Sequence, residues 1–203
     1  MATPSQISIL DFIPATRQHS GMALELTTSD LKDSIDLLRF YKKLGERAIE
    51  QAPDEALFAV LDEESNSIAI IVKHITGNMR SRWTDFLTTD GEKLDRNRDS
   101  EFEEAPKTRA ELMAAWETNW KTLFDSLAGL TEADMSRTVY IRTEAHSVMQ
   151  ALHRAIAHYA YHIGQIVYLA KHFSGAKWTA LTVPKRKSAE YNAKVASGEK
   201  SQR

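Results

Sequence analysis

Apolar residues recur at helical intervals along most of this chain. From about Ser29 to Gln51, the residues Leu31, Ile35, Leu38, Tyr41 and Leu44 fall on one stripe, and Pro53 follows where a helix would stop. A short apolar turn, DEALFAV, leads to a second helical stretch from about Ser67 to Thr89, with Gly91 placed as its C-cap. The third opens on TRAE, with Thr108 as N-cap and Glu111 reaching back. Its apolar residues Leu112, Trp116, Leu123 and Leu127 lead to a stop at Gly129. The fourth opens on SVMQ, another capping box from Ser147 to Gln150, and continues to about Phe173 before Ser-Gly. Only RTVYIRT, residues 137–143, reads as a short strand.

Four long amphipathic helices in 203 residues predict an all-α fold, an antiparallel four-helix bundle. The bundle is assigned to residues 1–183 and a basic polar tail to 184–203, expected to extend beyond it. The segment DGEKLDRNRDSEFEEAPK, between the second and third helices, is long for a bundle connection. Segments of that length are usually lids, binding loops or flexible stretches. The four tryptophans, Trp83, Trp116, Trp120 and Trp178, are assigned to packing.

Composition narrows the chemistry. A formal net charge of -2 gives no global bias toward nucleic acid or anionic membrane, so neither is expected as a partner. Cysteine is absent, which excludes disulfides, a catalytic thiol and thiolate-held metal. Any transition metal must therefore be held by histidine and carboxylate. The opening residues, MATPSQISILDFIPATRQHS, lack the pattern of a signal peptide, and the longest apolar run, IAIIV, is too short to cross a bilayer. A cytoplasmic protein is the expectation.

Within HYAYHIGQI, His158 and His162 stand four residues apart on one helical face, bordering Ala151, Ala155, Ile166 and Leu169. Burying two unpartnered imidazoles would be costly, and the small alanines leave room beside them. His74, beside the stripe of Ile71, Ile75 and Met79, is the third candidate. His153 projects to nearly the opposite side, His172 lies about 15 Å farther along the axis, and His146 and His19 read as surface residues. Two readings are open: unliganded histidines, or three imidazoles around one cation with a fourth position left for water, the pattern of a catalytic site.

One histidine in the second helix, followed by H-x-x-x-H and IGQI in the fourth, resembles the DinB/YfiT-like metalloenzyme superfamily. The segments KHITGNMRSRWTDFLTTDGEK, RNRDSEF and VPKRKSAEYN are similar to its DUF1572 branch. The resemblance implies an up-down-down-up bundle, generally a homodimer, with His74, His158 and His162 binding a divalent metal such as nickel or zinc. It also implies a small-molecule substrate and either hydrolysis or S-transfer with a low-molecular-weight thiol.

Other residues could serve such a site. Asn78 and Arg82 follow His74 down nearly the same stripe, Asn78 to orient bound water and Arg82 to clamp an anionic group. Asp85 reads instead as a surface pair with Arg82. Tyr161 and Gln165, on the polar flank of the His158/His162 face, are further ligand-bonding candidates. RNRDSEF reads as a solvated loop. The alternative function is a non-catalytic, metal-stapled dimeric stress-response or interaction module.

Overall fold

The computed structural model describes residues 27–200, and the fold is mainly helical. Helix α1 (Asp30–Gln51) starts where predicted, with the Ser29 hydroxyl accepting the Lys32 N–H and Asp30 and Asp33 in the positively polarised first turn. Helix α2 (Ile68–Trp83) is capped by Ser67, and α3 (Arg109–Leu127) by Thr108. Glu111 does reach back, but it accepts the Lys107 N–H rather than that of Thr108. Helix α4 (Val148–Ser174) carries the full predicted capping box of Ser147 and Gln150. Its end is marked by Gly175 at φ 52, a conformation glycine tolerates best.

The end of α2 differs from the sequence reading. Thr84 is extended and Asp85 turns left-handed at φ 49, so the helix stops at Trp83, six residues before Thr89, and Gly91 is not its cap. The Asp85 carbonyl then accepts the N–H groups of Thr88 and Thr89. The helical pattern runs on in the sequence because Phe86 packs on Trp83, with ring centroids 5.0 Å apart, through a turn rather than a helix.

Helix α1 lies against α4, and α2 against α3, while α2 also touches α4. Trp83, Trp116, Trp120 and Tyr159 are buried between them, and Trp178 packs at the margin. A Cβ at Gly45 of α1 would fall 2.6 Å from Trp116 Cη2 and 2.8 Å from Ile163 Cδ1. Glycine therefore sits mid-helix, at a propensity cost of roughly 1 kcal/mol, because the packing leaves no space for a side chain.

The strand candidate is real but shorter, and it has a partner that the pattern missed. Strand β1 (Thr138–Ile141) pairs antiparallel with β2 (Glu144–Ser147). Their two-residue loop, Arg142 and Thr143, has φ 55 and 65, the double left-handed geometry that usually selects Asn-Gly. The Asp90 carboxylate accepts both of their N–H groups, at 2.8 and 2.6 Å, and Gly91 N donates to the Tyr140 carbonyl. Those backbone bonds hold the Asp90 carboxyl below its usual pKa range, against the opposing push of burial. The connection after α2 is thus tied to the hairpin.

Residues 27–184 form one unit, and the segment from Lys185 belongs to another. Within that segment Ser188–Ala196 forms a short helix, α5. Among the described residues, no helix is long and apolar enough to cross a membrane.

Candidate metal centre

Three histidines meet where α2 faces α4. His74, in the middle of α2, is only 4% exposed, deeper than a position beside the apolar stripe suggested. His158 and His162 project from successive turns of α4, and the three ring centroids lie 4.7 to 5.3 Å apart. Each residue offers a ligand-capable atom within 4.8 Å of the others. His74 Nε2 and His158 Nε2 lie 3.2 Å apart. This cluster could hold a metal ion.

Hydrogen bonds behind the rings fix which nitrogen faces inward. His74 Nδ1 lies 2.9 Å from Glu101 Oε2. Burial pushes the Glu101 carboxyl up, but bonds from His74 and Arg96 outweigh it and hold the pKa below the ordinary carboxylate range. An ionised carboxylate only accepts, so His74 Nδ1 carries the proton and Nε2 presents its lone pair to the cluster. Gln165 Oε1 plays the same part behind His162 Nδ1, at 2.8 Å. Burial, with the neighbouring imidazoles and Arg82 and Arg96, pushes His158 down to about 3. His162 is also lowered, by burial and His74, against the opposing bond from Gln165. Neutral imidazole is the form a metal needs.

Glu101 is the residue sequence reasoning missed. It lies in the turn Asp99–Phe102 of the connection between α2 and α3, which packs against α2. Gly77 lets it approach, because a Cβ there would lie 2.7 Å from Glu101 Oε1. Arg96 grips the carboxylate with two nitrogens, Nε at 2.8 Å and Nη2 at 3.0 Å, and reaches Glu92 with Nη1 at 2.9 Å. RNRDSEF is therefore not simply solvated: the Arg96 and Glu101 side chains are almost wholly buried. The one available signal was chemical. A ligating histidine usually gives its other N–H to a carboxylate, and the long connection is rich in acids.

Beside the histidines lies a cavity of about 240 Å³, lined in part by His74, His158, Asn78, Ala151 and Ala155. The two alanines do leave room there. Asn78 is oriented by a buried relay: Trp83 Nε1 donates to the Tyr159 hydroxyl, which donates to Asn78 Oδ1, each at 3.0 Å. Burial raises the Tyr159 pKa, so its hydroxyl keeps the proton it donates. The Asn78 NH2 group is then the end free to serve the cavity. Arg82 lines the same cavity, and its buried Nε has no hydrogen-bond partner.

The remaining candidates lie elsewhere. Asp85 is exposed and forms no ion pair with Arg82 among the described residues. Tyr161 is 65% exposed and outside the cavity lining, its ring 4.9 Å from that of His162. His153 and His172 are exposed, His146 bonds the Glu144 carbonyl, and His19 falls outside the described residues.

Fold and site together define a helical protein with three clustered imidazoles, two of them buttressed from behind, beside a cavity. Residues 25–187 match the family described as protein of unknown function (DUF1572), and the chain belongs to that family. None of the curated proteins compared matches it significantly.

Proposed function

We propose that this protein is a metal-dependent enzyme of the DinB/YfiT-like superfamily, with His74, His158 and His162 binding one divalent ion, nickel or zinc. The observation that carries the reading is the convergence of three imidazoles, all offering ligand atoms within 4.8 Å of one another, two of which, His74 and His158, line a cavity. In this reading the long helices make the superfamily's up-down-down-up four-helix bundle, and the pairing of α1 with α4 and α2 with α3 supports it. Imidazole nitrogens suit nickel and zinc. The 3.2 Å between His74 Nε2 and His158 Nε2 is close to the roughly 3.3 Å edge of a tetrahedral site with bonds of about 2.0–2.1 Å.

When bound, the ion supplies the Lewis acidity that lets a water or a thiol act as nucleophile near neutral pH. The chain's own groups do the rest. Glu101 and Gln165 keep protons on the outer nitrogens of His74 and His162. Asn78, set by Tyr159, offers an N–H to the reacting group. Among the described residues no carboxylate lines the cavity to act as general base, so activation falls to the metal centre. That arrangement serves hydrolysis, or S-transfer from a low-molecular-weight thiol, on a small-molecule substrate.

The competing reading, a metal-stapled interaction module, calls for a fourth protein ligand that closes the site. The cluster among the described residues comprises three, which favours chemistry. Elemental analysis of protein purified without a chelating tag tests the reading. About one nickel or zinc per chain is expected, and protein that neither retains nor takes up either ion would remove it.

The homodimer reading has support on α4, where Ala157, Tyr161, Gly164 and Tyr168 make an exposed stripe at helical spacing. Light scattering at twice the chain mass is expected; a monomer mass at micromolar concentration would refute it.

A further inference from the structure

Five arginines border the cavity beside the histidines: Arg82, Arg96, Arg98, Arg142 and Arg154. The chain as a whole is slightly acidic, so this concentration of positive charge is local. Two acids partly offset it. Arg96 pairs with Glu92 and Glu101, and Arg142 lies 3.4 Å from Glu92. Arg82, Arg98 and Arg154 form no ion pair among the described residues, and no carboxylate lines the cavity.

Two features hold these cations where repulsion would spread them. Gly91 makes space for Arg82, since a Cβ there would fall 2.8 Å from Arg82 Cδ and 3.1 Å from Nε. Arg82 Nε is buried beside Gly91 without an acceptor, and an orphaned charged donor is among the costlier unmet groups in a protein. Arg142 is held in the left-handed conformation, which asparagine or glycine adopts more cheaply, by the Asp90 carboxylate. Strain at a residue that lines a cavity is commonly functional.

We propose that this cavity binds the acidic end of a small organic anion, a carboxylate or phosphate group, and holds the rest of the molecule against His74 and His158. The planar guanidinium fork matches either oxyanion, and several such forks line this one cavity. A cavity of about 240 Å³ is below the usual size for drug-like ligands, which limits the substrate to a small acid. The proposal deepens the metal-enzyme reading by naming its substrate class, yet anion binding itself rests on the arginines alone.

The test is calorimetric titration of the full-length, zinc-treated protein with succinate and, separately, with inorganic phosphate. Saturable binding of either is expected, and the one that binds identifies the group. Arg154→Gln, at an exposed position where folding is not at risk, and Arg82→Gln should each weaken it by about tenfold or more. Raising sodium chloride from roughly 0.05 to 0.3 M should weaken it further. Absence of binding by both anions, or binding indifferent to Arg154→Gln, overturns the proposal. The same titration on His158→Ala separates the two readings. Arginine-dependent binding that persists without metal supports the cavity assignment even if the metal centre fails. Normal metal content with arginine-independent binding sinks the cavity assignment alone.

Discussion

Changing His158 to alanine is expected to strip the protein of stoichiometric metal while its helices persist. His158 is one of three candidate ligands, and removing it leaves two nitrogens on different helices, His74 on α2 and His162 on α4. The loss of affinity should exceed the roughly 10–100-fold typical of mutating an outer partner of a ligand. Apo stability should change little, within about 1 kcal/mol, because the ring is half-buried at a cavity edge and its one hydrogen bond is to His74. Metal-dependent stability should behave differently. An ion supplied at a hundred times its Kd adds about 2.7 kcal/mol to the wild type, and that increment should vanish in the variant. Thermal melts with and without added zinc, read beside elemental analysis, check both. A variant that still binds one ion tightly would show that the histidines do not form the site.

What the sequence made legible follows from how far each signal reaches. The four long helices and their starts at Ser29, Ser67, Thr108 and Ser147 were readable because a cap and a 3.6-residue period are written within a few positions. Asp85 was not, because one left-handed residue ends α2 while the apolar pattern continues through Phe86 and Leu87. β2 was missed because its burial does not alternate. The histidine cluster was half legible. His158 and His162 share a helix face by arithmetic, whereas their meeting with His74 depends on the packing of α2 on α4, and the resemblance supplied that link. Glu101 stands 27 residues from His74, in a connection with no period to follow. The arginine cavity draws on that same connection, the β-hairpin and two helices, so no local window displays it.

These long-range partners make the connection after α2 part of the site. Lys73 Nζ donates to the Ser100 carbonyl, Gly77 admits the Glu101 carboxylate, and Asp90 ties the segment to the hairpin turn. One carboxylate then does two tasks: it sets the tautomer of His74 and neutralises Arg96, a neighbour of the cavity. The segment read from sequence as a solvated loop is the means by which the fold orients His74.

Glu101→Ala therefore has two expected consequences, separable by measurement. The first is loss of stability by about 3–5 kcal/mol, because the variant leaves Arg96 buried with its bidentate partner gone. Adding Arg96→Ala should recover part of that loss, since the double variant no longer buries a charge met by Glu92 alone, and urea unfolding of the wild type, both single variants and the double variant gives the coupling. The second is a fall in metal affinity of about 10–100-fold, because His74 Nδ1 loses the acceptor that keeps its proton and aims Nε2 inward. Glu101→Gln distinguishes orientation from charge. Its amide oxygen can still accept from His74, but its NH2 group meets the Arg96 donors, so metal affinity should fall less than in Glu101→Ala while much of the instability remains. Equal metal affinity in wild type and Glu101→Ala would mean that the carboxylate serves only the arginine, and that His74 finds its orientation from packing on α2 alone.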